Sequence, residues 1–450
     1  MKKRWHTIAA LTLCFIALSG CFFESSDTLY KLPEASEDFT DLQAKINSVQ
    51  NQLAAETAGA VEYAVPLQGD NVQTIQLQDL DDDGEQESAV AFFRVPGADK
   101  PLRIYIFTRN GESGYQEAFS ISGDGTAINS VRYADLDGLP GKELVVSWQM
   151  SEDVYLLSAY SLVGTEPVEM MKSAYTGYDV VDIDRDGRSE ILLTQIDTSE
   201  GNSRVECYSG RDGMMELVTQ APLSSGVTAL EKKQANYLAG LVPALYVTSV
   251  RAEERLVTDI FTFLNGELQN ITRNEESGWS EQTERAASDV AGTDINSDYI
   301  VELPQLEPLP GEAQAEPFYV ITWRQYDQYG ESTAVATTFH NMQDGWYLSL
   351  PESWAGKISV QRNDTVTNSD SQRSITFSRW RGEGEKAEPF LTIYRFGGNN
   401  RSIRAMRGGR FVLEDTGDAI YAAEFYDTRW DCGLNQESLT ERFSLILSTW

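Results

Sequence analysis

Histidine and cysteine are scarce in this 450-residue chain, which holds two of the first and four of the second. A zinc site built from several histidines is excluded by that count. His340 is the only histidine beyond the first twenty residues, and a Ser-His-Asp arrangement would have to use it, yet no G-x-S-x-G turn is present to carry the serine. His340 therefore reads as a strand residue. Basic residues are also few: 36 Lys and Arg face 69 Asp and Glu, for a net charge of −33. Such a surface repels phosphates, which excludes a nucleic-acid partner. No glycine-rich phosphate cradle is present, and RGGR at 407–410 reads as a turn between strands. What remains is ample for a core, with 41% hydrophobic residues including 18 Phe, 20 Tyr and 9 Trp, and the length suggests two domains.

The N-terminus has a basic start (Lys2, Lys3, Arg4), an apolar stretch from Ile8 to Leu18 and a small-residue exit through Ser19 and Gly20 to Cys21. This reads as a secretory signal over 1–20, and the stretch is too short for a comfortable membrane span of about 20 residues. LSGC resembles the lipobox of bacterial lipoproteins. That resemblance implies cleavage before Cys21 and a diacylglycerol on its thiol, so that the chain is exported and anchored to the outer face of the cell membrane. An ordinary signal with a chance cysteine is the plainer alternative. No basic cluster follows Cys21, so acyl chains alone would hold the anchor. Cys207 and Cys432 are then left either as two buried thiols, the simpler reading, or as one disulfide.

Residues 21–37 lack a period and read as a tether. Phe39, Leu42, Ile46, Val49 and Leu53 recur at spacings of three and four, predicting an amphipathic helix over about 38–56 within the segment 38–60. From Val61 the pattern changes to short apolar or alternating runs broken by Gly, Asn and Asp, which predicts strands and hairpins. Each unit repeats one order: an acidic loop, a buried strand such as SAVAFFRV, ELVVSW or EILLTQI, a hairpin, and a strand leading to the next loop. The acidic phrases begin at Asp79, Asp135, Asp182 and Asp294. The last gap is twice the first, which leaves room for one silent unit around ANYLAGLVPALYV. Repeats of four strands at roughly 40 to 50 residues predict propeller blades. The expected architecture is mainly β: about five four-stranded blades over 61–350 and a small α+β domain over 351–450, closing on a helical pattern in QESLTERFSLILSTW.

The phrases DLDDDGEQE and DIDRDGRSE place carboxylates at the first, third, fifth and ninth positions and glycine at the sixth. A hard cation such as calcium takes six to eight oxygens. Carboxylates at this spacing in a tight loop converge on one point, a carbonyl at the seventh position can join, and glycine supplies the turn. Asp79, Asp81, Asp83 and Glu87 with Gly84 fill every place, as do Asp182, Asp184, Asp186 and Glu190 with Gly187. Asp294, Asn296, Asp298 and Glu302 form a weaker set, because Tyr299 replaces the glycine. Asp135, Asp137 and Glu143 read as a relic, with Leu139 at the fifth place and Pro140 after it. The competing reading is that all four are solvated turns, where Asp and Gly are favoured anyway.

A phrase D-x-D-x-D-G-x-x-E opening a buried strand, repeated about every fifty residues in an exported protein, resembles the FG-GAP and VCBS-type repeats of integrin-like β-propellers. The resemblance implies calcium in the loops and a recognition or scaffold role. The LPGKE and TDINSD phrases are similar to those of lipoproteins of Gram-positive bacteria. The expected function is non-catalytic binding of an envelope protein or a glycan. The alternative is a polysaccharide-acting enzyme using a carboxylate pair. Trp323, Tyr326, Tyr329, Trp346 and Trp354 would stack on sugars in a glycan site or pack in a core.

Overall fold

The computed structural model describes residues 37–446 except 58–59, 110–113, 287, 289, 311–316 and 367–369. The signal, Cys21 and the tether lie outside the described residues. The fold is mainly β, with six antiparallel sheets and no closed barrel. Two compact units divide the chain, one of residues 1–128 with 164–167, the other of 129–163 with 168–450.

The first unit carries helix α1 (Glu37–Thr57) and sheet 1. Leu42, Ile46, Val49 and Leu53 of α1 pack on Ala89, Ala91, Phe93, Phe107 and Tyr115 of the sheet, as the period requires. Phe39, expected on the same face, is 57% exposed. The Asp41 carboxylate instead fixes the start of the helix by accepting from the Tyr115 backbone N–H at 2.6 Å. Ser88–Arg94 is buried on both faces, and so it is written as one apolar run instead of an alternation. Two short pieces, Glu62–Tyr63 and Ile75–Gln78, share one of its edges.

Sheets 2 to 6 belong to the second unit, except that the opening strand of sheet 2 begins at the boundary. Sheet 2 (Ala127–Ala134, Glu143–Gln149, Tyr155–Ser161, Val168–Tyr175), sheet 3 (Gly177–Val181, Glu190–Gln195, Arg204–Arg211, Met214–Pro222) and sheet 4 (Ala229–Leu238, Val242–Val250, Arg255–Leu264, Glu267–Asn270) are meanders in chain order. Alternate side chains of the second strands of sheets 3 and 4 go to opposite neighbours. Ile191 and Leu193 pack with Val145, Leu157 and Met171 of sheet 2, whereas Leu192 packs with Leu245, Val247 and Phe261 of sheet 4. Like strands therefore lie side by side: the first strands of sheets 3 and 4 touch, and so do the last strands of sheets 2, 3 and 4.

The strand boundaries differ from the sequence expectation by one strand. Ala127–Ala134 and Gly177–Val181 were expected to close one unit, but each pairs with the strand after its acidic loop and opens a sheet. In sheets 2 and 3 the loop thus sits inside the sheet, joining its first and second strands, whereas the Asp294 loop precedes the opening strand of sheet 5. In sheet 4, Ala239–Leu241 replaces it with a short turn, with Leu241 at φ 55°. Sheet 4 carries a different acid: fully buried Asp259 accepts from Ser224 N (2.8 Å), Ser224 Oγ (2.7 Å), Ser280 Oγ (2.6 Å) and Asn270 Nδ2 (2.8 Å).

Sheet 5 (Leu303–Pro308, Tyr319–Tyr326, Ser332–Asn341, Trp346–Ser349) ends with Phe443–Leu445, paired to Trp346–Leu348. Sheet 6 (Ile358–Val366, Asp370–Arg379, Glu388–Gly398, Ala419–Phe425, Phe411–Asp415) and helices α2 (Arg401–Ala405) and α3 (Gln436–Arg442) lie in the segment expected as the α+β domain. The helical pattern read to the C-terminus stops at Arg442. The core here crosses position 350, since Phe339, Trp346 and Leu348 share one cluster with Trp354, Phe377, Phe390 and Phe443. Trp323, Tyr326, Trp346 and Trp354 are buried; among the five aromatics considered for sugar stacking, only Tyr329 is exposed.

Candidate metal centre

Three of the four acidic loops have one backbone. Their fourth residues, Asp82, Arg185 and Ser297, are left-handed at φ 62°, 65° and 63°, and their sixth, Gly84, Gly187 and Tyr299, at 94°, 93° and 69°. Glycine takes the sixth conformation without strain, while Tyr299 holds it against a steric penalty. In all three the first aspartate accepts from the sixth backbone N–H: Asp79 from Gly84 (3.1 Å), Asp182 from Gly187 (3.1 Å) and Asp294 from Tyr299 (2.8 Å). The ninth-place glutamate reaches back from the strand to the second N–H, with Glu190 accepting from Ile183 (3.1 Å) and Glu302 from Ile295 (2.8 Å).

This wrapping brings carboxylates together. One oxygen from each of Asp79, Asp81, Asp83 and Glu87 lies within 4.8 Å of the others, and the same holds for Asp182, Asp184 and Glu190, and for Asp294, Asp298 and Glu302. Such spacing suits a hard divalent cation with oxygen ligands. Asp182 Oδ1 and Glu87 Oε2 are buried and have no hydrogen-bond donor among the described residues, which fits atoms shaped to face a cation.

Two expected ligands behave differently. Asp186 is drawn to Arg188, whose Nε donates to its Oδ2 at 3.0 Å, and the ion pair holds its carboxyl below the usual range. It is not among the converging atoms. The Asn296 amide donates to Asp298 Oδ2 at 3.0 Å, while its Oδ1 accepts from the Asp298 N–H at 3.1 Å. The Asp135 phrase, read as a relic, converges as well: Asp135, Asp137 and Glu143 meet the same 4.8 Å limit, with Glu143 accepting from Leu136 at 2.8 Å. Here Gly138 and Gly141, at φ 75° and 117°, supply the turn that Pro140 cannot.

The loops of sheets 2 to 5 are linked end to end. Ser189 N donates to Asp135 O at 2.8 Å, Arg185 Nη2 to Leu241 O, and Val301 N to Tyr237 O at 3.3 Å. Gly210 of sheet 3 lies so close under the sheet 2 loop that a Cβ there would come within 2.2 Å of Leu136 O.

Burial, reinforced by neighbouring carboxylates, pushes Glu143 and Glu190 up to about 7, and also raises Glu87, Asp184 and Glu302. Folded Glu190 keeps its proton to a higher pH than the unfolded chain does. Its contribution is full below about pH 4.5 and is lost as pH rises through about 7. In chelator, Glu190→Gln should therefore lose less of its melting temperature between pH 5 and 7.5 than the wild type does. Equal losses in scanning calorimetry would refute this.

His340 lies on its strand between Trp323 and Tyr347, and burial lowers it to about 4, so it is a neutral core ring. Cys207 and Cys432 are free thiols in separate cores. Among the described residues no helix is long and apolar enough to cross a membrane.

No family model matches the chain, and no curated protein matches it. A solved structure assigned provisionally as an exo-beta-1,3-galactanase from Bifidobacterium bifidum s17 is similar to 63% of this chain over 93% of its own length. With 10% identity and a TM-score of 0.24, that overlap is too loose to carry an argument about fold or activity.

Proposed function

We propose that the chain is a non-catalytic lipoprotein of the cell envelope, held to the membrane through Cys21, whose calcium-stabilised propeller binds a protein or glycan partner. The consecutive meanders are its blades. The observation that carries this reading is the shared loop: one backbone, written three times on different sheets, that brings carboxylates together. The lipobox resemblance supplies the location, with a Gram-positive envelope favoured. Side-by-side like strands in sheets 2 to 4 support the blade arrangement.

The Asp79 and Asp182 sets are the principal calcium ligands. Extracellular sites of this kind fill at dissociation constants of about 10⁻⁴ to 10⁻³ M. The ions hold together carboxylates that otherwise repel one another, and the rigid loop ends leave the remaining surface free for recognition.

The test is calorimetric melting of the chain from Phe22, without lipid, in calcium and after chelation, beside Asp184→Ala. A site held at a hundredfold its dissociation constant adds about 2.7 kcal/mol. Calcium should raise the melting temperature, and Asp184→Ala should remove part of that rise. No change in either case would reduce the loops to acidic turns.

A further inference from the structure

The ninth-place glutamate of each loop begins or immediately precedes a strand, and the residue opposite it on the next strand is Arg109 for Glu87, a serine in sheets 2 and 3, and a glutamine in sheet 5. Glu143 stands beyond the pair Leu144–Tyr160 and so faces Ser161; Glu190, beyond Ile191–Tyr208, faces Ser209; Glu302, beyond Leu303–Arg324, faces Gln325. A serine is too short to fill the space among the carboxylates. Ser209 Oγ only grazes Glu190 Oε1, at 3.4 Å. Gln325 fills that space, its Nε2 lying 2.6 Å from Asp298 Oδ2 and 2.6 Å from Glu302 Oε1.

We infer that Gln325 is the built-in occupant of the Asp294 loop, so that a glutamine in place of the serine opposite the ninth-place glutamate closes such a loop to a cation. A primary amide has two N–H donors, and here they match two carboxylate oxygens on the two elements that an ion would bridge. Asp298 comes from the loop and Glu302 from the strand. Glu302 is fully buried, and with the Ile295 N–H on its other oxygen it is satisfied without metal. This also accounts for Tyr299. A loop closed by its own amide keeps its shape although its sixth residue is not glycine. The inference rests on the calcium reading for the other loops, but its core, the role of Gln325, does not require it.

Two exchanges test it on the chain from Phe22, with bound calcium counted by titration calorimetry and melting followed in chelator. Gln325→Ser should bind one more calcium per chain than the wild type, melt below the wild type in chelator, and recover in calcium. Ser209→Gln should bind one fewer. If the wild type binds calcium but both counts and the chelator melting stay unchanged, the inference is overturned and the calcium reading stands. If no variant binds calcium, that reading falls; lower melting of Gln325→Ser in chelator then still supports the amide's role, and equal melting removes it. Should Gln325→Ser fail to fold, the count for Ser209→Gln decides.

Discussion

Asp259→Ala is expected to destabilise the second unit by about 3–5 kcal/mol, because it removes the shared acceptor of several buried donors, each costing about 1–3 kcal/mol when left unsatisfied. Its Oδ1 receives Ser224 Oγ, Ser280 Oγ and Asn270 Nδ2, and its Oδ2 the Ser224 N–H. Alanine leaves the buried Ser224 amide and hydroxyl without their acceptor at the heart of sheet 4, while Ser280 Oγ and Asn270 Nδ2 keep only Thr272 Oγ1 and Pro222 O. Asp259→Asn keeps one oxygen but turns an N–H₂ toward the Ser224 amide, so it should lose about 1–3 kcal/mol. Urea unfolding of the three proteins gives the ranking. An alanine variant no worse than the asparagine one would mean that the carboxylate does not organise the sheet. The prediction matters because sheet 4 lacks an acidic loop, and Asp259 ties segments 224, 270 and 280 together there without any ion.

Trp354→Ala should cost about 3–5 kcal/mol as well, by a different mechanism. The indole meets Phe390 at 4.9 Å and Phe377 at 5.7 Å between ring centroids, and its Nε1 donates to Cys432 O at 2.7 Å. Truncation leaves a cavity and an orphaned buried carbonyl. Since that core contains Phe339, Trp346 and Leu348 of sheet 5 as well as sheet 6, the loss should appear as one earlier transition for both sheets. Trp354→Phe should fall between the wild type and alanine. A variant in which sheet 6 melts alone while sheet 5 keeps its wild-type midpoint would show that the two do not share a cooperative core.

Local chemistry was legible in the sequence, and pairing across strands was not. Aspartates at alternate places with glycine at the sixth announce a loop, because ligand spacing and backbone conformation are both local. Helix α1 was legible for the same reason, except at Phe39, which is exposed although it shares the periodic face. Asp186 was expected among the ligands, but Arg188, two places on, holds its carboxylate through side-chain geometry that spacing does not encode. Asp135 was dismissed on Pro140, although Gly141 one place later restores the turn. Gln325 lies 23 residues beyond Glu302 and becomes its neighbour only through the register of sheet 5. Strand 443–445 likewise reaches 346–348 through tertiary pairing, which no local pattern encodes.

The end-to-end linkage of the loops in sheets 2 to 5 gathers the Asp135, Asp182 and Asp294 carboxylates along one margin of the second unit. That margin is a fixed pole of negative potential on a molecule already strongly acidic. Clustered charge of one sign acts at a distance, changing the encounter rates of charged molecules before any contact forms. On the proposed calcium reading, each divalent ion bound there would offset two of those charges. Filling of the loops would then set how strongly this side of the molecule repels other anions.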